Sequence, residues 1–133
     1  MTEQDAVLAA NAAYYRAFAG GDFDLMSRIW AVEDVSCIHP GWPVLIGRRE
    51  VLDSYAAILA NPHQEALAHL GEKVLLAERE ARVFCIETVA GLRLAATNWF
   101  RRGDDGWRLI HHQASPISAP AAPAAPPAGR RLN

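Results

Sequence analysis

The hydrophobic period of this chain changes once, near residue 66, and that change limits the folds open to it. Before it, apolar side chains recur every three or four residues, the spacing of helices that bury one face. After it, apolar and polar residues alternate, as they do in β-strands. Helices followed by strands with short turns favour an α+β domain. We therefore expect three N-terminal helices packed on a curved antiparallel sheet, forming a cone with one pocket.

Capping residues predict the limits of the three helices. Thr2 and Asp22 are suited to begin the first and second helices, because their side-chain oxygens can accept from free backbone N–H groups. The glycines at 20–21 predict the end of the first helix. Gly47 predicts the start of the third helix, and the Asn-Pro pair at 61–62 predicts its end.

The alternating segments predict a meander of four strands after one short, separate strand. The short strand spans 35–39 and stops at the prolines of 40–43. Gly103-Asp-Asp-Gly106 is a hairpin signal between the last two strands. Neither face of these two strands is purely polar, which predicts a homodimer through the sheet. The four predicted strands of the meander are 67–76, 80–90, 92–102 and 107–115.

Composition separates a folded domain from a tail and excludes several kinds of partner. Residues 1–115 are expected to form one domain, and 116–133, with five Pro and six Ala, a flexible tail. The net charge of −2 argues against nucleic acid. The sequence contains no run of ~18 apolar residues, so we expect no membrane span. Cys37 and Cys85 lie in apolar runs, which is typical of buried free thiols. The N-terminus lacks the basic segment of a signal peptide. Together these two features lead us to expect a cytoplasmic protein.

Five segments, taken in order, resemble the nuclear transport factor 2-like (NTF2-like) superfamily, in its SnoaL-like and ketosteroid-isomerase-like branch. The resemblance covers roughly residues 3–115 and implies the cone fold. It leaves the activity open, because one such fold hosts isomerases, cyclases, dehydratases, transport factors and assembly domains. The segments are Tyr14-Tyr-Arg-Ala-Phe-Ala-Gly-Gly-Asp22, Asp34-Val-Ser-Cys-Ile-His-Pro-Gly-Trp-Pro43, Gly47-Arg-Arg-Glu-Val-Leu52, Ala96-Thr-Asn-Trp-Phe100 and Gly106-Trp-Arg-Leu-Ile-His-His-Gln-Ala-Ser115.

The resemblance to ketosteroid isomerases implies three catalytic candidates. His39, before Pro40, matches the position of their general base, and an imidazole can take a proton near neutral pH. Tyr14 and Asn98 match the positions of their two oxyanion donors, and a phenol and an amide can both donate to an enolate oxygen. Each has a structural alternative: a core ring for Tyr14, a turn-fixing hydrogen bond for His39, and an amide bonding its neighbour for Asn98.

Further candidates for the pocket lining come from the aromatic and polar residues of the strands and loops. Glu87 lies in an apolar strand and is either a buried acid with a raised pKa or, as we favour, a structural partner of Arg93 across the hairpin. His111 and His112 are adjacent and must point to opposite faces, so the sequence leaves open which one faces the pocket. The complete set of binding candidates is Trp30, Trp42, Tyr55, Glu87, Phe100, His111, His112 and Gln113.

Three functions compete at this point. One is an enzyme that performs cofactor-free acid–base chemistry on a small, largely apolar carbonyl compound. Another is a non-catalytic module that binds or senses a small-molecule ligand, which the same pocket suits. A third is an oligomeric assembly domain, because Trp107–Ser115 resembles the last strand of the association domain of calcium/calmodulin-dependent kinases. No metal-ligand spacing, phosphate loop or dinucleotide fingerprint is present, so we expect no metal and no cofactor.

Overall fold

The computed structural model describes residues 1–118, so most of the predicted Pro/Ala-rich tail, 119–133, lies outside the described residues. Three helices pack on one face of a six-stranded sheet, which confirms the predicted α+β architecture. The helices are α1 Glu3–Gly20, α2 Phe23–Ile29 and α3 Arg48–Ala60. The strands are β1 Ser36–Ile38, β2 Leu45–Ile46, β3 Leu67–Leu76, β4 Glu80–Val89, β5 Leu92–Gly103 and β6 Gly106–Pro116.

The helix limits follow from the predicted capping residues. Thr2 accepts from the backbone of Asp5, whose carboxylate accepts in return from the Thr2 N–H, forming a capping box. Gly21 ends α1 with a φ of 61°, a left-handed conformation that glycine adopts without strain. Asp22 then accepts from Leu25 N and begins α2. The chain therefore turns sharply between α1 and α2, as the sequence predicts.

The sheet is mixed, which differs in one place from the antiparallel sheet expected from the sequence. Its strand order is β2-β1-β6-β5-β4-β3, and β3 to β6 form the predicted antiparallel meander. However, β1 pairs with β6 in parallel. A parallel pair needs a long connection, and here α3 and four strands lie between the two in sequence. The strand β2, only two residues long, was not predicted.

A β-bulge in β6 changes which side chains face the helices. Trp99 pairs with His111 whereas Phe100 pairs with Leu109, so Ile110 is an extra residue on β6. Trp107 and Leu109 are buried before the bulge, and His112 and Ala114 are buried after it. The extra residue therefore turns His112 toward the helices and His111 away from them.

The domain extends slightly beyond its predicted boundary at residue 115. Pro116 still belongs to β6, and Ile117 donates its N–H to the Arg93 carbonyl. Among the described residues, no helix is both long and apolar enough to cross a membrane. Likewise, no group of three or more His, Cys, Asp or Glu side chains within 1–118 is placed to hold a metal ion.

Candidate active site

A cavity of about 250 Å³ lies between the helices and the inner face of the sheet. Its wall is mostly apolar, and four polar side chains with titratable groups interrupt it: Tyr14, His39, Glu87 and His112. A largely apolar cavity with a few polar groups is the usual form of a small-molecule site. The rest of the lining is Phe18, Pro40, Trp42, Ile58, Gln64, Leu67, Val89 and Leu94.

Glu87 is buried on the inner face of β4, contrary to the structural pairing favoured from the sequence. Its side chain faces the helices, whereas Arg93 is exposed and lies opposite Thr88 in the sheet. Tyr15 donates its hydroxyl proton to Glu87 Oε2 at 2.6 Å. Burial raises the pKa of Glu87, and the hydrogen bond from Tyr15 partly opposes this. The expected partnership with Arg93 is therefore wrong, and the buried acid is the correct alternative.

The partners of Asn98 determine the tautomer of His112. Asn98 Nδ2 donates to Asn11 Oδ1 at 2.8 Å and to the Tyr15 hydroxyl at 3.0 Å. Its Oδ1 is then an acceptor, so His112 Nδ1 must carry the proton of the bond between them. Burial lowers the pKa of His112 to about 3, which keeps the ring neutral. His112 Nε2 is therefore left with a lone pair, 3.9 Å from Glu87 Oε2.

The hydrogen bonds of Ser54 determine the tautomer of His39. Ser54 donates its proton to the Val51 carbonyl at 2.6 Å, so its oxygen accepts from His39 Nε2 at 2.9 Å. The lone pair of His39 consequently lies on Nδ1. Burial lowers the pKa of His39 to about 4. The ring does not fix the following turn, as one sequence alternative supposed, because the turn is closed by the His39 carbonyl accepting from Trp42 N.

Tyr14 lies where it can offer a proton to the cavity. Its hydroxyl is 2.7 Å from that of Tyr55, which lies behind the wall and is 3.7 Å from Cys37 Sγ. Burial raises the pKa of both phenols, so both remain protonated. If Tyr55 donates to Tyr14, the Tyr14 proton is available to a bound molecule. The Tyr14 ring also packs against the ring of His112, with centroids 5.0 Å apart.

The other residues predicted for the site are divided between the cavity mouth, the core and the outer sheet face. Trp42 lines the cavity beside His39, with 43% of its surface exposed, at the predicted mouth. Trp30 and Phe100 are core residues. His111 is on the outer face, where its Nδ1 lies 2.7 Å from Ser36 Oγ. Gln113 is exposed on the same face.

Asn98 does not occupy the oxyanion-binding position that the resemblance implied. Both donor contacts of its amide go to protein partners, and it does not line the cavity. Sequence reasoning also missed Tyr15, Asn11 and Ser54, which hold the titratable groups in place. Asn11 and Tyr15 are one helical turn apart, and a polar Asn on the apolar face of α1 is the signal that could have found this pair.

Comparisons with known proteins agree on the family of this chain. A family model described as a SnoaL-like domain matches residues 7–120. A candidate dehydratase of the NTF2-like family from Streptomyces avermitilis is 38% identical over 88% of this chain and 97% of that one, with a TM-score of 0.81. A candidate calcium/calmodulin-dependent protein kinase type II association domain from Thiobacillus denitrificans is 30% identical over 83% and 94%, with a TM-score of 0.76.

More distant similarity supports the fold alone. An NTF2-like protein with a cystatin-like fold from Novosphingobium aromaticivorans is 20% identical over 90% of this chain and 84% of that one, with a TM-score of 0.70. None of the curated proteins compared with the chain matches it. The family match and the 38% identical relative are sufficient for assignment: the chain belongs to the SnoaL-like domain family of the NTF2-like superfamily.

Proposed function

We propose that the protein is an enzyme that performs cofactor-free acid–base chemistry on a small, largely apolar carbonyl compound, as an isomerase, cyclase or dehydratase. The observation that carries the proposal is the buried Glu87 carboxyl in the mostly apolar wall of a cavity that Tyr14 also lines. Burial moves the pKa of Glu87 upward, toward the pH at which a general base is most effective. The similarity to a candidate dehydratase at 38% identity also supports this class of reaction.

In this proposal, Glu87 removes a proton from the carbon next to a carbonyl group. Tyr15 holds Oε2, and within the described residues Oε1 has no hydrogen-bond partner. In the proposed step, Oε1 takes the proton while Tyr14 donates a hydrogen bond to the carbonyl oxygen, where negative charge develops. With a β-hydroxy substrate, the C–O bond then breaks and Glu87 returns the proton to the departing oxygen, which leaves as water. With an unsaturated substrate, the proton returns to another carbon and the double bond moves.

The two histidines have a different role in this proposal from the one that the sequence suggested for His39. Burial moves the pKa of His39 and His112 to about 4 and about 3, away from neutral pH, which makes either ring a weak base. Each ring instead presents a lone pair, on His39 Nδ1 and His112 Nε2, that can accept a hydrogen bond from a substrate hydroxyl. Neutral imidazoles also avoid the favourable charge pairing that would lower the pKa of Glu87.

The test uses 4-hydroxy-4-phenylbutan-2-one, a small β-hydroxyketone whose dehydration produces a conjugated enone that absorbs ultraviolet light. Glu87→Gln should lower the rate of enone formation by about 10²–10⁴-fold, because an amide cannot take the proton. Glu78→Gln, at an exposed carboxylate in the turn between β3 and β4, is the matched control and should keep the rate of the original protein. Equal rates for Glu87→Gln and the original protein, with both folded, would remove the proposal.

A second candidate, the assembly domain, is favoured by one specific observation. The relative from Thiobacillus denitrificans carries the name of an association domain. An assembly larger than a dimer in light scattering would support that function. The binding-module alternative predicts a different result, in which the β-hydroxyketone is bound but not converted over hours.

A further inference from the structure

A second cleft, of about 370 Å³, adjoins the candidate active site. Phe18, Gln64 and Leu67 line both spaces, so these three side chains form the partition between them. We call this space the 59–67 cleft, because most of its wall is the segment from the end of α3 to the start of β3. The other wall is the C-terminal end of α1 at Gly20 and Gly21.

The sizes of the two spaces leave room for one ligand to extend across both. Sites for small organic molecules usually measure about 300–1,000 Å³. The active-site cavity, at about 250 Å³, is smaller than this range, and the cavity and the cleft together fall inside it. A molecule whose reacting part fits beside Glu87 therefore has room for a second part beyond Phe18.

The electrostatic character of the 59–67 cleft is negative. Among the described residues that line it, Glu65 is the only one with a charged side chain, and it is exposed. Both α1 and α3 end at the cleft, and a helix C-terminus carries a partial negative charge of about half a unit. Neither helix has a basic residue in its last turn to offset that charge. A positively charged group is therefore favoured there and an anionic group is disfavoured.

We propose that the 59–67 cleft is a second subsite that binds an ammonium or similar cationic group of the substrate. Its description as a substrate subsite rests on the proposed function of the adjoining cavity. The substrate would then have two parts: a small apolar carbonyl part beside Glu87 and a cationic part beside Glu65. Phe18 and Leu67 contact the apolar chain that joins them.

The test compares ω-phenylalkylammonium ions with three to six methylene groups and the matching ω-phenylalkanoates, by isothermal titration calorimetry at low salt. The two series share the phenylalkyl chain and carry opposite terminal charges. At the best chain length, the ammonium ion should bind at least about tenfold more tightly than the carboxylate, and added salt should reduce the difference. Glu65→Gln should reduce the preference to less than about threefold, while Glu78→Gln, which removes an equal charge elsewhere, should leave it unchanged.

Equal affinity for the two series, or a preference that survives Glu65→Gln, would overturn the subsite. The uncharged 4-phenylbutan-2-one separates this failure from a failure of the proposed function, because it can occupy the active-site cavity alone. Suppose that 4-phenylbutan-2-one binds and that dehydration of the β-hydroxyketone depends on Glu87. If no charge preference is then found, only the subsite is wrong. If the charge preference depends on Glu65 while turnover does not depend on Glu87, the cleft remains a cation site and the catalytic proposal is wrong.

Discussion

Buried neutral histidines should make this domain lose stability in mild acid, and His112 allows the effect to be measured. The unfolded histidine has a pKa near 6.5, whereas burial in the folded protein lowers it to about 3. Between these values the unfolded state binds a proton that the folded state does not, so stability falls as the pH falls. One pKa unit corresponds to about 1.4 kcal/mol, so lowering the pH from about 7 to about 5 should cost about 2 kcal/mol through His112.

The variant His112→Asn isolates this contribution. An Asn amide can still donate to Asn98 Oδ1 but does not titrate, so the cost of the smaller side chain should be similar at every pH. His39, with a pKa of about 4, should contribute a similar loss of about 2 kcal/mol. We therefore expect His112→Asn to lose about 2 kcal/mol less than the original protein between pH ~7 and ~5. The raised pKa of Glu87 acts in the opposite direction in both proteins and cancels in their difference.

Urea unfolding, followed by tryptophan fluorescence at a series of pH values, provides the measurement. Stability differences of this size are well resolved against the usual 5–15 kcal/mol of a small domain. The exposed His63→Asn is the matched control, because it makes the same substitution outside the lining of the cavity. If the original protein and His112→Asn lose equal stability between neutral and mildly acidic pH, His112 is not held neutral by burial and the tautomer assignment fails with it.

Two further predictions concern the support of Glu87 and the outer face of the sheet. Tyr15→Phe removes the hydrogen bond to Glu87 Oε2, so the pH at which turnover is half-maximal should rise. The maximal rate should fall by roughly tenfold or less. An unchanged pH profile would contradict this prediction. On the outer face, Leu70, Ile86 and Trp99 are at least partly exposed, and we expect two copies to pack there as a homodimer. In sedimentation velocity, Ile86→Glu should convert a micromolar dimer to monomer, whereas Leu92→Glu, at the exposed start of β5, should not. A monomeric original protein would refute the dimer.

The fold was largely predictable from the sequence because its signals are local. Helix caps at Thr2 and Asp22 depend on contacts three residues away, and the two-residue turn between Gly103 and Gly106 also forms locally. The parallel pairing of β1 with β6 was not predictable in this way. It depends on residues about 75 positions apart, such as Ser36 and His111, and no local pattern encodes that contact.

The candidate site was predictable only in part. The resemblance implied that Tyr14 and His39 lie in one pocket, and both line the same cavity. The role of Asn98 could not be read in the same way, because Asn11 and Tyr15 use both of its donors and both come from a distant helix. Glu87 was misjudged because an acid in a strand is more often exposed than buried, and its true partner, Tyr15, is 72 residues away.

The extra residue in β6 has a consequence for how relatives should be aligned. If Ile110 were deleted, regular alternation would still place Leu109 and His112 on the inner face, because the bulge is the only interruption between them. A deletion at residue 111 would leave Leu109 and His112 in the same phase as well, whereas one at 113 would shift Ala114 to the wrong side. When a family member has a last strand that is one residue shorter, a gap placed at Ile110 keeps His112 aligned with the inward-facing residue of that relative. Loss of the extra residue would therefore leave His112 facing the cavity.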